Sequence, residues 1–384
     1  MTSQRTTTPT KQLPRRKRIL FHCVMIFLVL APLIALEGYV RASRPHLDLW
    51  VKTGRKIGPS PMREWGLIDA FSAYRGRPGS HTPGKSVNSL GFISTPELVM
   101  DKPPGTTRIV FLGGSSTAGT GNSLPDEATW PWRVTEILRR RFPAERIEFL
   151  NGALGGYTSF ESYGRLWSRI RFFSPDIIVV YHGWNEMYYF NRDDDIARWR
   201  MLPDGDWSFD RTARPVRTYD PRWIDHPIRR SQVLTRLRLR LSEPQSGEAG
   251  ASLPLADDYD RRGLEIWRTN LRLLRETARL LGAELFVAKQ ATLIVPGLAA
   301  QERARVRYDY HGFDHEAHLD AFRRLYAIID EEVPPERVID VTTISGRPEC
   351  FHDHVHPTEA GVTEIAAMVA EALASCFRAG EAEH

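Results

Sequence analysis

Four short segments of this 384-residue chain carry residue types suited to nucleophilic and acid–base chemistry. The first is Phe111-Leu112-Gly113-Gly114-Ser115-Ser116-Thr117. A serine directly after an apolar run and two glycines can present its hydroxyl in a tight turn. The segment is no phosphate loop, because it lacks the Gly-Lys pair. It is no Gly-x-Ser-x-Gly elbow either, because Thr117 stands at the last glycine position. The second is Asn151-Gly152-Ala153-Leu154-Gly155-Gly156-Tyr157, whose glycines let a backbone N–H approach a ligand. A plain strand-to-helix turn would read the same way. The third is Gly183-Trp184-Asn185-Glu186, where the Asn185 amide can donate to an oxyanion. The fourth is Asp353-His354-Val355-His356-Pro357. A carboxylate three residues before a histidine can hold one imidazole nitrogen and leave the other as a base. Spacing from Asp353 and the following Pro357 favour His356 over His352 and His354. The alternative is a metal site built from the same four side chains, although no second cluster supplies the missing ligands.

These segments need a frame that brings them to one place. Apolar runs at 108–112, 146–150, 176–181, 283–288 and 337–341 read as strands. Helical spacing fills 128–141, 160–173, 259–281, 316–331 and 358–377. The run at 176–181 is apolar throughout, as for a strand buried on both faces. Such alternation implies βαβ units and a parallel sheet covered by helices. Right-handed crossovers then put every strand's C-terminal end on one edge, where ligands bind. Three of the four segments follow strands, and the fourth precedes the last helix.

Residues 37–104 are rich in Pro and Gly and read as a stalk and an irregular lead-in of loops and short edge strands. Residues 190–258 interrupt the alternation and read as an insertion, a lid or cap. Its Trp199, Trp207 and Trp223 suit either lid packing or stacking on sugar rings. The Leu-alternating arginines of 229–240 read as an amphipathic helix with solvated charges.

The formal charge of +5 is misleading, because residues 1–18 alone carry +6 and the rest nets −1. A nucleic-acid partner is therefore not expected. Residues 19–36 are an apolar run, about 27 Å long as a helix and so near bilayer thickness. Positive charge before it and Glu37 after it predict a basic cytoplasmic tail (1–18) and a single-pass anchor (19–36) in the cytoplasmic membrane. The body then lies on the periplasmic or extracellular side. Cleavage after Val40-Arg41-Ala42 as a signal peptide is the competing reading. Outside the span, Cys350 and Cys376 could pair in such a compartment.

Gly113-Gly114-Ser115, Gly156, Gly183-x-Asn185 and Asp353-x-x-His356-Pro357 resemble, in order and spacing, the four hallmark blocks of the SGNH/GDSL hydrolases. The resemblance covers residues 105–378 apart from the insertion. Val87-Asn88-Ser89-Leu90-Gly91-Phe92 is similar to the lead-in of exported, single-span members. The resemblance implies a flavodoxin-like α/β/α sandwich with a five-stranded parallel sheet. It implies a triad of Ser115, Asp353 and His356, and an oxyanion hole from Ser115 N–H, Gly156 N–H and the Asn185 amide, with no metal and no cofactor. Gly114 departs from the Asp of the family name, and Glu186 stands where Asp is commoner. The implied activity is hydrolysis of acyl esters, as an esterase or deacetylase on an envelope glycan or lipid. An O-acyltransferase using the same triad and a non-catalytic scaffold on this fold are the alternatives.

Overall fold

The computed structural model describes residues 14–44, 66–82, 84–120, 124–190, 198–201, 207–210, 223–242 and 255–378. These fall into two units, one within Met1–Pro59 and Arg217–Glu248, the other within Ser60–Val216 and Ala249–His384.

The first unit contains helix α1, Arg15–Ser43, an apolar helix with no buried residue. By length and composition it can cross a membrane. Just past its apolar stretch, Glu37 accepts from the N–H groups of Gln232 (2.7 Å) and Val233 (3.0 Å) and from the Ser231 hydroxyl (2.8 Å). Those groups open the helix Gln232–Ser242. A carboxylate there satisfies orphan helix N–H groups. The helix expected from the Leu/Arg alternation therefore exists. Gln232 and Thr235 are buried, while Leu234 and Leu237 are exposed.

The second unit is built on a parallel sheet. Its strands are β1 Thr106–Gly113, β2 Arg146–Asn151, β3 Ile177–His182, β4 Glu284–Lys289 and β5 Val338–Asp340. Their spatial order is β5-β4-β3-β1-β2, with all neighbours parallel. That is the flavodoxin-like doubly wound order, whose crevice opens where β1 and β3 lie side by side. Helices α2 (Trp130–Arg141) and α6 (Glu359–Leu373) pack on each other. Helix α4 (Arg262–Leu281) packs on α3 (Ser159–Ser168) and α5 (His315–Glu332). The sheet between these groups is apolar. Every residue of β3 is buried, and Phe111 meets Trp130 edge-on at 5.1 Å.

One strand residue departs from the apolar reading. Arg108 of β1 is fully buried. Its guanidinium donates to the carbonyls of Met100, Phe173 and Val99 and to Glu148. Those partners offset the cost of burying the charge.

The lead-in forms two small hairpins, Gly66–Asp69 with Ala73–Gly76 and His81–Thr82 with Lys85–Ser86. The second hairpin and the segment after it are bonded to the sheet domain. Arg165 of α3 donates to Gly91 O (2.8 Å) and Gly152 O (3.2 Å). Asp126 accepts from Ser86 N (3.1 Å) and from Ser94 Oγ (2.6 Å). Within the insertion, the strands Arg198–Met201 and Trp207–Asp210 pair antiparallel. The side chains of Trp199 and Trp207 and most of the expected lid lie outside the described residues, and Trp223 is exposed. Cys350 is buried and Cys376 partly so, and both are free thiols.

The first hairpin docks so closely that a Cβ at Gly164 would overlap the carbonyl of Phe71. Gly164→Ala must therefore move backbone rather than a side-chain tip. It should destabilise the protein by about 1–3 kcal/mol in denaturant titration of the detergent-solubilised chain. An unchanged midpoint would mean the hairpin is not held there.

Candidate active site

Strand β1 ends at Gly113, and Ser115–Ala118 form one helical turn. A Cβ at Gly113 would meet the Thr117 side chain and, at 2.8 Å, the carbonyl of Tyr181. A Cβ at Gly114 would stand 2.6 Å from Asn185 Nδ2 and 3.2 Å from Tyr157 O. The absence of a Cβ at Gly114 lets the Asn185 amide approach the turn closely. Ser115 follows with its hydroxyl outward.

His356 Nε2 lies 2.7 Å from Ser115 Oγ. Its Nδ1 lies 2.7 Å from Asp353 Oδ2. The other carboxylate oxygen accepts from the N–H groups of Val355 (3.0 Å) and His356 (2.9 Å). The carboxylate so fixes the tautomer: Nδ1–H donates to Asp353, and bare Nε2 accepts the Ser115 proton. Burial would raise the Asp353 pKa. The bond from His356, the His356 and His354 rings and the Val355 N–H outweigh it and hold the carboxyl below the usual range. Ser116 is turned away, donating to Val355 O at 3.0 Å. That bond also ties the nucleophile turn to the histidine loop.

The loop itself is a closed turn. His352 N donates to His356 O (2.8 Å), and Thr358 caps α6 through Gly361 N. His354 does not join the relay. It is buried against the Trp184 ring, centroids 3.9 Å apart. Its carbonyl accepts from Leu293 N and Thr292 Oγ1, both 2.9 Å. His352 is exposed. Of these side chains Asp353 stands near two, with His356 Nδ1 at 2.7 Å and His354 Nδ1 at 3.7 Å. Among the described residues no three His, Cys, Asp or Glu groups converge as a metal site.

Asn185 lies in the turn Trp184–Tyr189 after β3. Its amide donates to Tyr157 O at 2.8 Å, which fixes which end carries the nitrogen. Gly114, Ser115, Gly183, Trp184, Asn185 and Gln290 line one small crevice. Gly156 has φ +76°, a left-handed conformation for which glycine is suited. Its neighbour Gly155 stands near Ser115, since a Cβ there would lie 4.0 Å from Ser115 Cβ. The arrangement offers a general base and a hydroxyl aligned with it, with the Asn185 amide in the same crevice.

Several further residues support this arrangement. Gln290, directly after β4, accepts from Trp184 N at 2.6 Å and so sets the Asn185 turn. Its place at a strand's C-terminal end was the available signal. Glu186 is fully buried and accepts from the N–H and hydroxyl of Ser159, each at 2.7 Å. It thereby joins the third block to the start of α3, a structural role. Trp184 also stacks on His318 (5.1 Å) and contacts His311 (4.3 Å). Nothing in residue spacing announces that cluster.

Burial lowers the pKa of His182 to about 3. It lowers that of His354 to about 3 against the pull of Asp353, and that of His318 to about 4 against its bond to Asp314 O. Each ring is neutral in the fold and protonated in the unfolded chain below about pH 6.5. Stability is therefore complete above that pH and falls as the pH drops toward the folded values, by about 1.4 kcal/mol per unit per group. Thermal unfolding should show a lower midpoint at pH 5.0 than at pH 7.5, and His318→Phe should flatten the trend. A midpoint that rises on acidification would contradict the burial of these rings as neutral groups.

No family model matches the chain, and no curated protein does. Solved structures do. A GDSL-like lipase from Bacteroides thetaiotaomicron is 13% identical, over 70% of this chain and 89% of that one, with a TM-score of 0.37. An acetylxylan esterase from Geobacillus stearothermophilus is 14% identical, over 70% and 94%, with a TM-score of 0.36. TesA is 16% identical, over 70% and 98%, with a TM-score of 0.37. These likenesses concern fold alone, and the reading of the site stands on this chain's own residues. Its β5-β4-β3-β1-β2 parallel sheet gives the chain a flavodoxin-like doubly wound α/β fold, with the four blocks in order along it.

Proposed function

We propose that this chain is a serine hydrolase of acyl esters. The carrying observation is the unbroken relay from Ser115 Oγ through His356 to Asp353, with both links at 2.7 Å. Ser115 Oγ attacks the ester carbonyl while His356 Nε2 takes its proton. The carbonyl electron pair moves onto oxygen, where Ser115 N–H, Gly156 N–H and the Asn185 amide receive it. Collapse expels the alkoxide, which recovers the proton from His356, and the acyl group stays on Ser115. Water then repeats the sequence, releasing the acid and restoring the hydroxyl. Asp353 keeps its charge and holds the imidazolium in register. No step calls for a metal or another cofactor.

The helix α1 is read as the anchor that keeps this activity at a membrane, with the basic tail inside and the sheet unit outside. Substrates then come from the envelope, as acylated glycan or lipid. In carbonate and high-salt washes the full-length chain should stay with the membranes. A soluble chain beginning near Ser43 would overturn the anchor in favour of signal cleavage.

The triad is tested on a chromogenic short-chain ester. Ser115→Ala and His356→Ala should each lower kcat by about 10⁴–10⁶-fold, and the double variant should lose little more, because the groups act as a unit. Chelators should change nothing. Activity of Ser115→Ala within tenfold of the parent would sink the assignment. Acyl loss that appears only when a glycan acceptor is added would replace hydrolysis with transfer.

A further inference from the structure

Tyr157 N–H donates to Leu154 O at 3.1 Å and closes a turn whose two central residues, Gly155 and Gly156, lack a Cβ and so admit either orientation of the peptide between them. That peptide carries the Gly156 N–H. A partner for its carbonyl therefore helps to select one direction.

The lead-in supplies the group. The Tyr74 hydroxyl donates to the carbonyl of Gly155. The Tyr157 hydroxyl in turn donates to the carbonyl of Tyr74. The two rings meet edge-on, 5.1 Å apart at 64°. All peptide bonds here are trans. In a trans unit the C=O and N–H of one plane point in opposite directions. The bond that draws the Gly155 carbonyl to Tyr74 thus turns the Gly156 N–H the other way.

The turn before Tyr74 is built to hold it. Asp69 Oδ1 accepts from the N–H groups of Phe71 and Ser72, each at 3.0 Å. Ala73 has φ +61°, which L side chains adopt rarely. Tyr74 itself pairs with Ile68 across the hairpin. The close fit of Phe71 O on Gly164 docks the hairpin on α3, the helix that follows the Gly155-Gly156-Tyr157 block.

We propose that Tyr74, which belongs to none of the four motif blocks, is a positioning residue for the oxyanion hole: it locks the Gly155–Gly156 peptide so that the Gly156 N–H faces the developing oxyanion. This rests on the esterase reading above. Losing an oxyanion donor costs about 10²–10³-fold in kcat, and a donor that is misaimed rather than removed costs less. Tyr74→Phe keeps the ring and loses the bond. On an oxygen ester, kcat should fall about tenfold with KM nearly unchanged. On the matching thionoester, whose sulfur accepts weakly from N–H, the variant and the parent should differ by less than about twofold.

An unchanged kcat on the oxygen ester would overturn the assignment. Equal losses on both esters, with a lower melting temperature, would also overturn it and leave Tyr74 a packing residue. Should Tyr74→Phe not fold, 3,5-difluorotyrosine at position 74, assayed at a pH below the pKa of its acidified phenol, provides a nearly isosteric, stronger donor. It should hold or raise kcat, and a fall would count against the lock. If the parent shows no Ser115-dependent turnover of either ester, the esterase reading fails and the lock with it. If that turnover is present and Tyr74→Phe is silent, only the lock fails.

Discussion

The bond between Ser115 Oγ and His356 Nε2 joins residues 241 positions apart. Local structure cannot hold such a contact. Ser115 is placed by the end of β1, and His356 by a turn leading into α6. The two meet because β1 is a central strand and α6 packs with α2 beside it. Further contacts hold those two positions together. The Ser116–Val355 bond ties the two loops directly. The Thr292 and Leu293 contacts to the His354 carbonyl tie the histidine loop to the segment after β4.

Much of the support is polar and buried. Arg108 and Arg165 gather carbonyls from the lead-in and from strand ends. Glu186 links the Asn185 turn to the N-terminus of α3, and Gln290 links it to the end of β4. Burying such a group is costly without partners, so the bonds it makes favour one arrangement of the loops. Glycine works to the same end by absence. With no Cβ at Gly113 and Gly114, the Tyr181 carbonyl and the Asn185 amide come within van der Waals reach of the nucleophile turn.

The sheet and the helices could be read from the chain because burial on a parallel sheet leaves an unmistakable pattern: β3 is apolar throughout. Element ends were less legible. The expected helix over 160–173 stops at Ser168, and a 3₁₀ segment carries on to Phe173. The expected strand at 337–341 shrinks to Val338–Asp340. Ser115, Asp353, His356 and Asn185 were legible because chemistry fixes residue type and spacing together. Arg108, Gln290, Tyr74 and the Trp184 cluster were not. Their roles depend on partners distant in sequence, and nothing in their neighbours names those partners. The division of the insertion was also hidden. The pairing of Glu37 with the Gln232–Ser242 helix appears only when the two segments are folded together.

The central claim is that Ser115 is a nucleophile activated by His356. The most direct measurement is covalent. The full-length chain in detergent is treated with a fluorophosphonate, and the adduct is located by peptide mass spectrometry. The account predicts one stoichiometric adduct on Ser115, none on Ser116, and strongly slowed labelling in His356→Ala. A folded chain that stays unlabelled, or carries the adduct on another serine, would contradict it.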